Sequence, residues 1–275
     1  MINYNGTLYS ESDLQLSHAN RAFKYGDGIF ETIKIQHNKV VFWEDHYFRL
    51  MASMRMLRMK IPMEFTLEFL ENEILKTAKH IDANFIRVRL NVFRKDGGLY
   101  TPLTNEVDYL LEAAEITSVP KQVYKVDLYK DFYNYSGLLS TVKTTNRMLN
   151  TLAGVFAKEN DFDNCVLLNE HKNVVEVLNG NIFIIKDNVI KTPPVSDGCI
   201  KGIIRKKLIE IIQKHPDYTL EEVSISPFEI QKADEVFITN AIIGIQPVTN
   251  YRKKEFSVNV STKLQNNLKL LQATA

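Results

Sequence analysis

The sequence has few cysteines, no long apolar run and almost no net charge. Its two cysteines, Cys165 and Cys199, are too few for a disulfide framework and fit a reducing compartment. No apolar segment approaches the roughly 18 residues that a membrane-spanning helix needs. Because the formal net charge is only +1, the chain lacks the basic excess that nucleic-acid or membrane-surface binding usually requires.

The first residues also lack a targeting pattern. The segment MINYNGTLYSESDLQLS contains no basic residues followed by an apolar stretch, so we expect no secretory signal. The 275 residues, 45% of them hydrophobic and 24% charged, are enough for one large globular domain or two. Together these properties predict a soluble cytoplasmic protein without nucleic-acid or membrane partners.

Hydrophobic periodicity predicts two domains of α/β structure. In residues 1–118, short strands alternate with amphipathic helices, for example at 44–59 and 66–80. Residues 119–122 are polar and contain a proline, which is typical of a linker. Residues 123–275 contain more strands, with helices that would pack on the resulting sheet.

The stretch 137–153 gives the first chemical signal. Its apolar run 138–142 predicts an extended segment, and the capping residues at 144–146 predict a helix that begins directly after Lys143. The positive end of a helix dipole and partial burial both disfavour an ammonium, so such a lysine is suited to attack a carbonyl. A solvated surface charge is nevertheless the ordinary role of a lysine, and Lys143 alone identifies no site.

Three further features fit the same chemistry as Lys143. Glu176 interrupts an apolar strand, where it faces either solvent or a polar partner in the interior. Gly202 begins a helix predicted over 203–214, and backbone N–H groups at a helix start can bind an anion, although a plain helix start is commoner. Arg49 can bind a phosphate through two parallel hydrogen bonds, although a solvated arginine would look the same.

A cofactor with a carbonyl, a basic ring nitrogen and a phosphate would use all four of these residues. The lysine would form a Schiff base, the carboxylate would partner the ring nitrogen, and the helix start with the arginine would bind the phosphate. Pyridoxal phosphate fits this description.

Several separated motifs resemble those of the class IV aminotransferase family, the fold-type IV pyridoxal-phosphate enzymes. In chain order they are NRAFKYGDGIFETIKI, HYFRL, KTTNRMLN, VVEVLNGNIFII, PPVSDGCIKGIIR and EVFITNAIIGIQPV. The family includes branched-chain aminotransferases, D-amino-acid transaminases and aminodeoxychorismate lyases. The resemblance implies a small N-terminal α/β domain and a larger C-terminal domain with a barrel-like sheet. It also implies a homodimer in which pyridoxal 5'-phosphate lies between the two domains of each chain.

The resemblance implies roles for individual residues of this chain. Lys143, in the predicted domain 123–275, is the expected Schiff-base lysine and general acid/base, and Glu176 is the expected partner of the pyridine nitrogen. The expected phosphate contacts are Arg49, the backbone at Gly202, Ile203 and Ile204, and Thr239 and Asn240. The expected substrate contacts are Phe30, Thr32, Arg87, Arg94, Tyr100 and Ala241. No metal ion is expected.

Single residues favour a lyase over a transaminase within this family. Transaminases of the family usually carry threonines where this chain has Ile204 and Ala241. The pair Asn240-Ala241 is similar to one found in the lyases, and the stretch 97–100 resembles their GGxGY sequence. Thr32 also resembles the lyases, whereas the neighbouring Glu31 is closer to the transaminases.

We therefore predict elimination of pyruvate from aminodeoxychorismate to give p-aminobenzoate. The alternative is a transaminase for branched-chain or D-amino acids with 2-oxoglutarate as acceptor. A family member that has lost catalysis and acts as a binding protein is a third hypothesis. The presence of both Lys143 and Glu176 argues against this third hypothesis, because a binding protein has no reason to keep both.

Overall fold

The computed structural model describes residues 1–274 and has two compact units of mixed α/β structure. The first unit comprises Met1–Thr117 together with Lys143–Asn146, and the second comprises Ser118–Val142 and the chain from Arg147 onward. The predicted α/β class is confirmed by these elements. Among the described residues, no helix is long and apolar enough to cross a membrane.

The first unit is built on one six-stranded antiparallel sheet. Its strands are β1 (Ile2–Tyr4), β2 (Thr7–Tyr9), β3 (Gly28–Gln36), β4 (Lys39–Val40), β5 (Phe85–Arg94) and β6 (Val107–Glu115). Its helices are α1 (Arg21–Tyr25), α2 (Trp43–Met56) and α3 (Leu67–Ala78). The strands are ordered β2-β1-β6-β5-β3-β4. The helices α2 and α3, predicted at 44–59 and 66–80, pack on one face of this sheet.

Alternation along β3 and β5 explains why the sheet buries one face. Ile33 of β3 and the residues Val88 and Leu90 of β5 are fully buried. Side chains on successive strand positions point to opposite faces, so the polar residues between these positions lie on the other face. Helix α3 begins after Thr66, whose side chain accepts a hydrogen bond from the Phe69 N–H.

The second unit contains two five-stranded sheets. Its strands are β7 (Lys125–Leu128), β8 (Asn164–Leu168), β9 (Val174–Val177), β10 (Asn181–Lys186), β11 (Val189–Thr192), β12 (Thr219–Glu222), β13 (Glu235–Asn240), β14 (Gly244–Val248), β15 (Asn250–Tyr251) and β16 (Lys254–Glu255). Its α-helices are α4 (Met148–Glu159), α5 (Ile203–Gln213), α6 (Pro227–Lys232) and α7 (Asn259–Thr274). The sheets are ordered β12-β11-β10-β13-β14 and β16-β15-β7-β8-β9.

The two sheets of the second unit share one hydrophobic core. Val126 and Val166 from one sheet and Ile184 and Val236 from the other belong to the same buried cluster. The described strands do not form a single closed barrel, so the expected barrel-like sheet consists of two packed sheets. A capping box at Ser226 begins α6.

A buried group of charged side chains joins α2 to β3 in the first unit. The Glu31 carboxylate accepts hydrogen bonds from Arg49 Nε at 2.8 Å and from a terminal Arg49 nitrogen at 2.5 Å. His46 Nδ1 lies 2.7 Å from the same carboxylate. Burial alone would raise the pKa of Glu31, but Arg49 and His46 outweigh it and lower the pKa from 4.5 to about 2. Burial lowers the pKa of His46, which therefore stays neutral.

We expect acid to destabilise the first unit in two stages. The contribution of His46 is fully present above pH 6.5 and is lost as the pH falls below it, because the unfolded chain then takes up the proton more readily. The contribution of Glu31 is fully present above pH 4.5 and is lost as the pH falls towards about 2. Urea unfolding between pH 7.5 and pH 5 measures the first stage.

The variant His46→Asn keeps a side-chain N–H for Glu31 but cannot titrate. It should lower the free energy of unfolding at pH 7.5 and flatten its dependence on pH between 7.5 and 5. His80→Asn, at an exposed histidine of the same unit, is the control and should leave that dependence unchanged. An unaltered slope in His46→Asn would contradict the assignment.

Candidate active site

Lys143 lies in an extended segment that pairs with β3 in the first unit. The Phe30 N–H donates to the Lys143 carbonyl at 2.9 Å, and the Thr145 N–H donates to the Gly28 carbonyl at 2.8 Å. These backbone bonds fix the position of Lys143 along the strand. The sequence assigned Lys143 to the domain 123–275, whereas this segment packs with the first unit.

The structure on either side of Lys143 differs from the expected one. Leu139–Thr141 form a 3-10 turn rather than an extended run, and α4 begins at Met148 with Arg147 as its N-cap. Hydrogen bonding to β3 keeps residues 143–145 extended, which delays the helix. Lys143 is therefore not at a helix N-terminus, and the dipole argument for its reactivity is wrong, because that effect is confined to the first turn.

The Phe30 ring brings two cationic side chains together. Lys143 Nζ lies 4.2 Å from the ring centroid, and Arg89 Cζ lies 3.8 Å from it. A cation at this distance is attracted by the quadrupole of an aromatic ring. Sequence reasoning predicted Phe30 as a substrate contact but missed Arg89. The available signal was the alternation of arginines along β5, which places Arg87 and Arg89 on one face.

Arg49 is held rigidly by the ion pair with Glu31. The two parallel hydrogen bonds fix the plane of its guanidinium group, as expected for a fork-shaped contact. The role of Arg49 as a phosphate ligand stays a prediction, to which the structure adds a buried support. A carboxylate within the buried face of β3 was the sequence signal for that support.

Glu176 lies in the interior of the second unit. Its side chain is nearly fully buried, on β9, and its Oε2 accepts a hydrogen bond from the Ile200 N–H at 3.0 Å. The sequence left open whether Glu176 faces solvent or a polar partner in the interior. The structure shows the interior partner. A buried carboxylate is a strong acceptor for a charge-assisted hydrogen bond.

Asn181 fixes the loop that follows Ile200, and sequence reasoning missed it. Its Nδ2 donates to the Ile200 carbonyl at 2.8 Å. Its Oδ1 lies so close to Gly202 that a Cβ there would be only 2.0 Å away. Any side chain at Gly202 would displace Asn181, so the start of α5 requires glycine. The sequence signal was a polar residue at the head of an apolar strand, directly after the Asn179-Gly180 turn.

The start of α5 offers backbone groups rather than side chains to a ligand. The first N–H groups of a helix have no partner within it, and no side chain caps Gly202. The side chains of Ile203 and Ile204 are buried in the core. Only the backbone of these two residues is therefore available to an anion. Ile204 has no hydroxyl to offer, unlike the threonine usual at this position in the transaminases.

Thr239 and Asn240 end β13 in the same unit. The Thr239 hydroxyl is buried and has no hydrogen-bond partner among the described residues. Buried hydroxyls normally have a partner, so a ligand or a water is expected there. Asn240 Oδ1 accepts hydrogen bonds from the Ile242 and Ile243 N–H groups, which shapes the turn that contains Ala241.

The remaining predicted substrate residues lie in different surroundings in the first unit. Arg87 is exposed on β5, and Thr32 lies opposite Arg89 on β3. Arg94 is buried and donates to Asp27, to Asn105 and to two backbone carbonyls. Tyr100 is exposed beside an open cavity of about 280 Å³, whose other lining residues are Arg21, Tyr25, Asp27, Arg94 and Pro102.

The residues present fit pyridoxal phosphate, on two observations. Gly202 begins an eleven-residue helix whose start has no side-chain cap, which suits a phosphate. The Thr239 hydroxyl is buried without a partner in residues 1–274. The same described part of the chain has no cluster of histidine, cysteine and carboxylate side chains that could hold a metal ion.

Comparison with known proteins identifies the family to which the chain belongs. The family model for amino-transferase class IV matches residues 28–251. An aminodeoxychorismate lyase from Vibrio harveyi is 25% identical, over 90% of this chain and 94% of that protein. A putative branched-chain-amino-acid aminotransferase from Methanocaldococcus jannaschii is 29% identical, over 90% of this chain and 86% of that protein.

Solved structures show the same fold. The structure of a branched-chain aminotransferase from Thermoproteus uzoniensis superposes with a TM-score of 0.90 and covers 99% of this chain and 94% of that one. Its sequence identity is 22%, so this likeness concerns the fold alone. Class IV aminotransferases use pyridoxal phosphate as their cofactor. With a family model that matches most of its length, the chain belongs to the class IV aminotransferases, a family of pyridoxal-phosphate-dependent aminotransferases and lyases.

Proposed function

We propose that the protein removes pyruvate from aminodeoxychorismate, acting on the primary amine of this small carboxylate with pyridoxal phosphate as its cofactor. The observation that supports the cofactor role most is the loop from Ile200 to Gly202 in the second unit. This loop supports the buried Glu176 carboxylate at one end and begins α5 at the other. A buried carboxylate suits a protonated ring nitrogen, and a helix start suits a phosphate.

Each residue of the chain has a definite task in this proposal. When bound, the cofactor supplies an aldehyde that bonds to an amine and a ring that withdraws electrons from the substrate carbon. Lys143 would hold the cofactor through that aldehyde, and its amine would move the proton at the substrate carbon. Glu176 keeps the ring nitrogen protonated. The phosphate ligands are Arg49, the backbone of Gly202, Ile203 and Ile204, Thr239 and Asn240.

The two family chemistries differ in what they require of the phosphate ligands. A lyase returns the cofactor to Lys143 after each turnover, whereas a transaminase alternates with an amine form that no covalent bond holds. Ile204 and Ala241 carry no hydroxyl, so the chain has fewer side-chain groups to retain an unattached cofactor. This difference supports the lyase. Glu31, which is closer to the transaminases, supports the alternative of an amino-acid transaminase.

Borohydride reduction tests the role of Lys143. We expect it to fix the cofactor to the tryptic peptide that contains Lys143, as detected by mass spectrometry. The variant Lys143→Ala should carry no label, whereas Lys172→Ala, at an exposed lysine, should be labelled as the wild type is. Label on another lysine in the wild type would overturn the assignment.

Glu176→Gln separates the two roles in the same experiment. This variant should keep the label at Lys143, because the amine remains. Its turnover should fall by roughly 100-fold or more, since a neutral amide cannot hold the ring nitrogen in its protonated state. Turnover close to that of the wild type would reduce Glu176 to a structural residue.

A comparison of substrates decides between lyase and transaminase. We expect catalytic release of pyruvate from aminodeoxychorismate, measured by coupling to lactate dehydrogenase. L-leucine, L-glutamate and D-alanine, without a keto acid, should change the visible absorbance of the enzyme slowly or not at all. Rapid bleaching by one of these amino acids, reversed by 2-oxoglutarate, would make the protein a transaminase. Absence of both reactions, with the cofactor bound, would favour the third hypothesis of a binding protein.

We further propose that two copies of the chain assemble as a cytoplasmic homodimer. Met148, Leu152 and Val155 are exposed on one side of α4 in the second unit. Their spacing of three and four residues forms a continuous apolar stripe, which monomeric proteins seldom expose.

Both cysteines are buried free thiols, and burial raises the pKa of each to about 12, which fits a reducing cytoplasm.

Light scattering at micromolar concentration should give a mass of about 63 kDa, twice the 31.7 kDa of one chain. Leu152→Lys should shift the population towards single chains, because it places a charge within the stripe. Met63→Lys, at an isolated exposed methionine of the first unit, is the control and should leave the mass unchanged. A wild-type mass of one chain would exclude the dimer at this concentration.

A further inference from the structure

His46 is a buried histidine for which the proposed function has no task. It lies on α2, one turn before Arg49, and is almost completely buried. Its Nδ1 lies 2.7 Å from Glu31 Oε2, on the neighbouring strand β3. Histidine is the side chain whose charge changes most readily near neutral pH. A buried histidine beside the ion pair of an expected phosphate ligand therefore suggests a role in phosphate binding.

The hydrogen bond to Glu31 fixes the tautomer of His46. Burial would raise the pKa of Glu31, but Arg49 and His46 lower it to about 2, so the carboxylate is ionised and can only accept. The proton of the neutral His46 ring is therefore on Nδ1, which donates it to Glu31. A second proton would enter at Nε2 and would leave the bond to Glu31 intact.

Glu31 Oε2 connects His46 to Arg49. The same oxygen accepts a hydrogen bond from a terminal Arg49 nitrogen at 2.5 Å, while Oε1 accepts one from Arg49 Nε at 2.8 Å. His46 Nδ1 and that terminal nitrogen are therefore at most about 5 Å apart. In a buried place, a change of charge at Arg49 acts strongly on His46 at this separation.

The charges around His46 keep its ring neutral. Burial is the largest influence and lowers the pKa of His46; Glu31 raises it, and the positive charges of Arg49 and Lys143 lower it further. Glu31 lies on β3, Arg49 on α2 itself and Lys143 in the segment that pairs with β3, and none of them lies on α3, which also packs on α2. Arg49 and Glu31 offset each other, so this pair supplies no net negative charge to hold a proton on His46. A phosphate dianion at Arg49 would supply it.

We propose that His46 acts through Glu31 as a positioning residue for Arg49, and that it takes up a proton from solvent when a phosphate dianion binds to Arg49. This inference rests on the proposed role of Arg49 as a phosphate ligand. The Nδ1 donor keeps the carboxylate and the guanidinium aligned in both charge states. Because binding brings a proton with it, the protein holds the phosphate more tightly as the pH falls from 8 towards 6.5. Below this range the phosphate itself takes up a proton.

Histidine NMR tests the inference on the wild-type chain. With ¹⁵N-labelled histidine, the shifts of the two ring nitrogens report tautomer and charge, and the signal missing from His46→Asn identifies His46 among the six histidines. In the cofactor-free enzyme at pH 7, His46 should be neutral with its proton on Nδ1. Loading with pyridoxal phosphate should move the titration of His46 to higher pH. Loading with pyridoxal, which lacks the phosphate, should leave it in place.

Calorimetry in buffers of different ionisation enthalpy counts the protons taken up on binding. His46→Asn keeps a donor for Glu31 but cannot titrate. At pH 7 it should take up about half a proton to one proton fewer than the wild type for each pyridoxal phosphate bound. Its Kd relative to that of the wild type should grow roughly 3- to 10-fold between pH 8 and pH 6.5. With pyridoxal, the two proteins should take up equal numbers of protons.

Two further variants separate positioning from titration. His46→Leu removes the donor as well as the titration, so it should weaken binding of pyridoxal phosphate roughly 10-fold beyond His46→Asn. Binding of pyridoxal should change by no more than about twofold, because Arg49 is expected to contact only the phosphate. His80→Asn, at an exposed histidine of the same unit, is the control and should bind both compounds as the wild type does.

The inference is overturned if His46 carries its proton on Nε2, if its titration is the same with and without the phosphate, or if His46→Asn takes up as many protons as the wild type. If His46→Asn does not fold, His46→Gln assigns the signal and the wild-type titration decides. Borohydride labelling separates this result from the proposed function. Label at Lys143 with an unchanged His46 would overturn the inference alone, whereas absence of label in the wild type would overturn the proposed function.

Discussion

The adjacent side chains of Phe30 and Glu31 point to opposite faces of the sheet, and the proposed site residues of the first unit depend on this constraint. Adjacent residues of a strand point to opposite faces, so Glu31 points to α2 and Phe30 to the other side of the sheet. Glu31 then fixes Arg49, while the Phe30 ring contacts Lys143 and Arg89. The Phe30 backbone bonds to the Lys143 carbonyl, so one strand register sets the positions of both groups. A one-residue slip of β3 would exchange the two faces and undo both.

In the second unit, a single amide side chain positions the backbone around the proposed site residues. Asn181 bonds to the Ile200 carbonyl and packs against Gly202, so one amide positions both the N–H that supports Glu176 and the start of α5. The buried strand β10 holds Asn181 in turn. An amide suits this place because its Nδ2 donates to the Ile200 carbonyl, while its Oδ1 end is small enough to lie against Gly202.

Most elements of the fold could be predicted from the sequence, because their signals are local. Apolar residues every three or four positions marked α2 and α3, and the capping box at Ser226 marked the start of α6. The helix at Lys143 could not be placed in this way, because residues 143–145 bond to a strand more than a hundred positions earlier in the chain. Arg89 and Asn181 were missed for the same reason. A local pattern marked each position, but the partners that give it significance, Phe30 for Arg89 and the Ile200 carbonyl for Asn181, lie elsewhere in the chain and needed the structure.

In the proposed phosphate site, the absence of hydroxyls at Ile204 and Ala241 would have a physical consequence for the chemistry. A hydrogen bond to a charged group contributes on the order of 1.5–3 kcal/mol, so two lost bonds would weaken phosphate binding considerably if nothing replaced them. Ile204 gains burial in the core of the second unit in exchange, and its backbone N–H remains at the start of α5. The buried Thr239 hydroxyl is a further donor. In the proposed site, retention of the cofactor would therefore depend more on a covalent bond at Lys143. This is why we propose a reaction that restores such a bond in every cycle over one that leaves the cofactor unattached for half of each cycle.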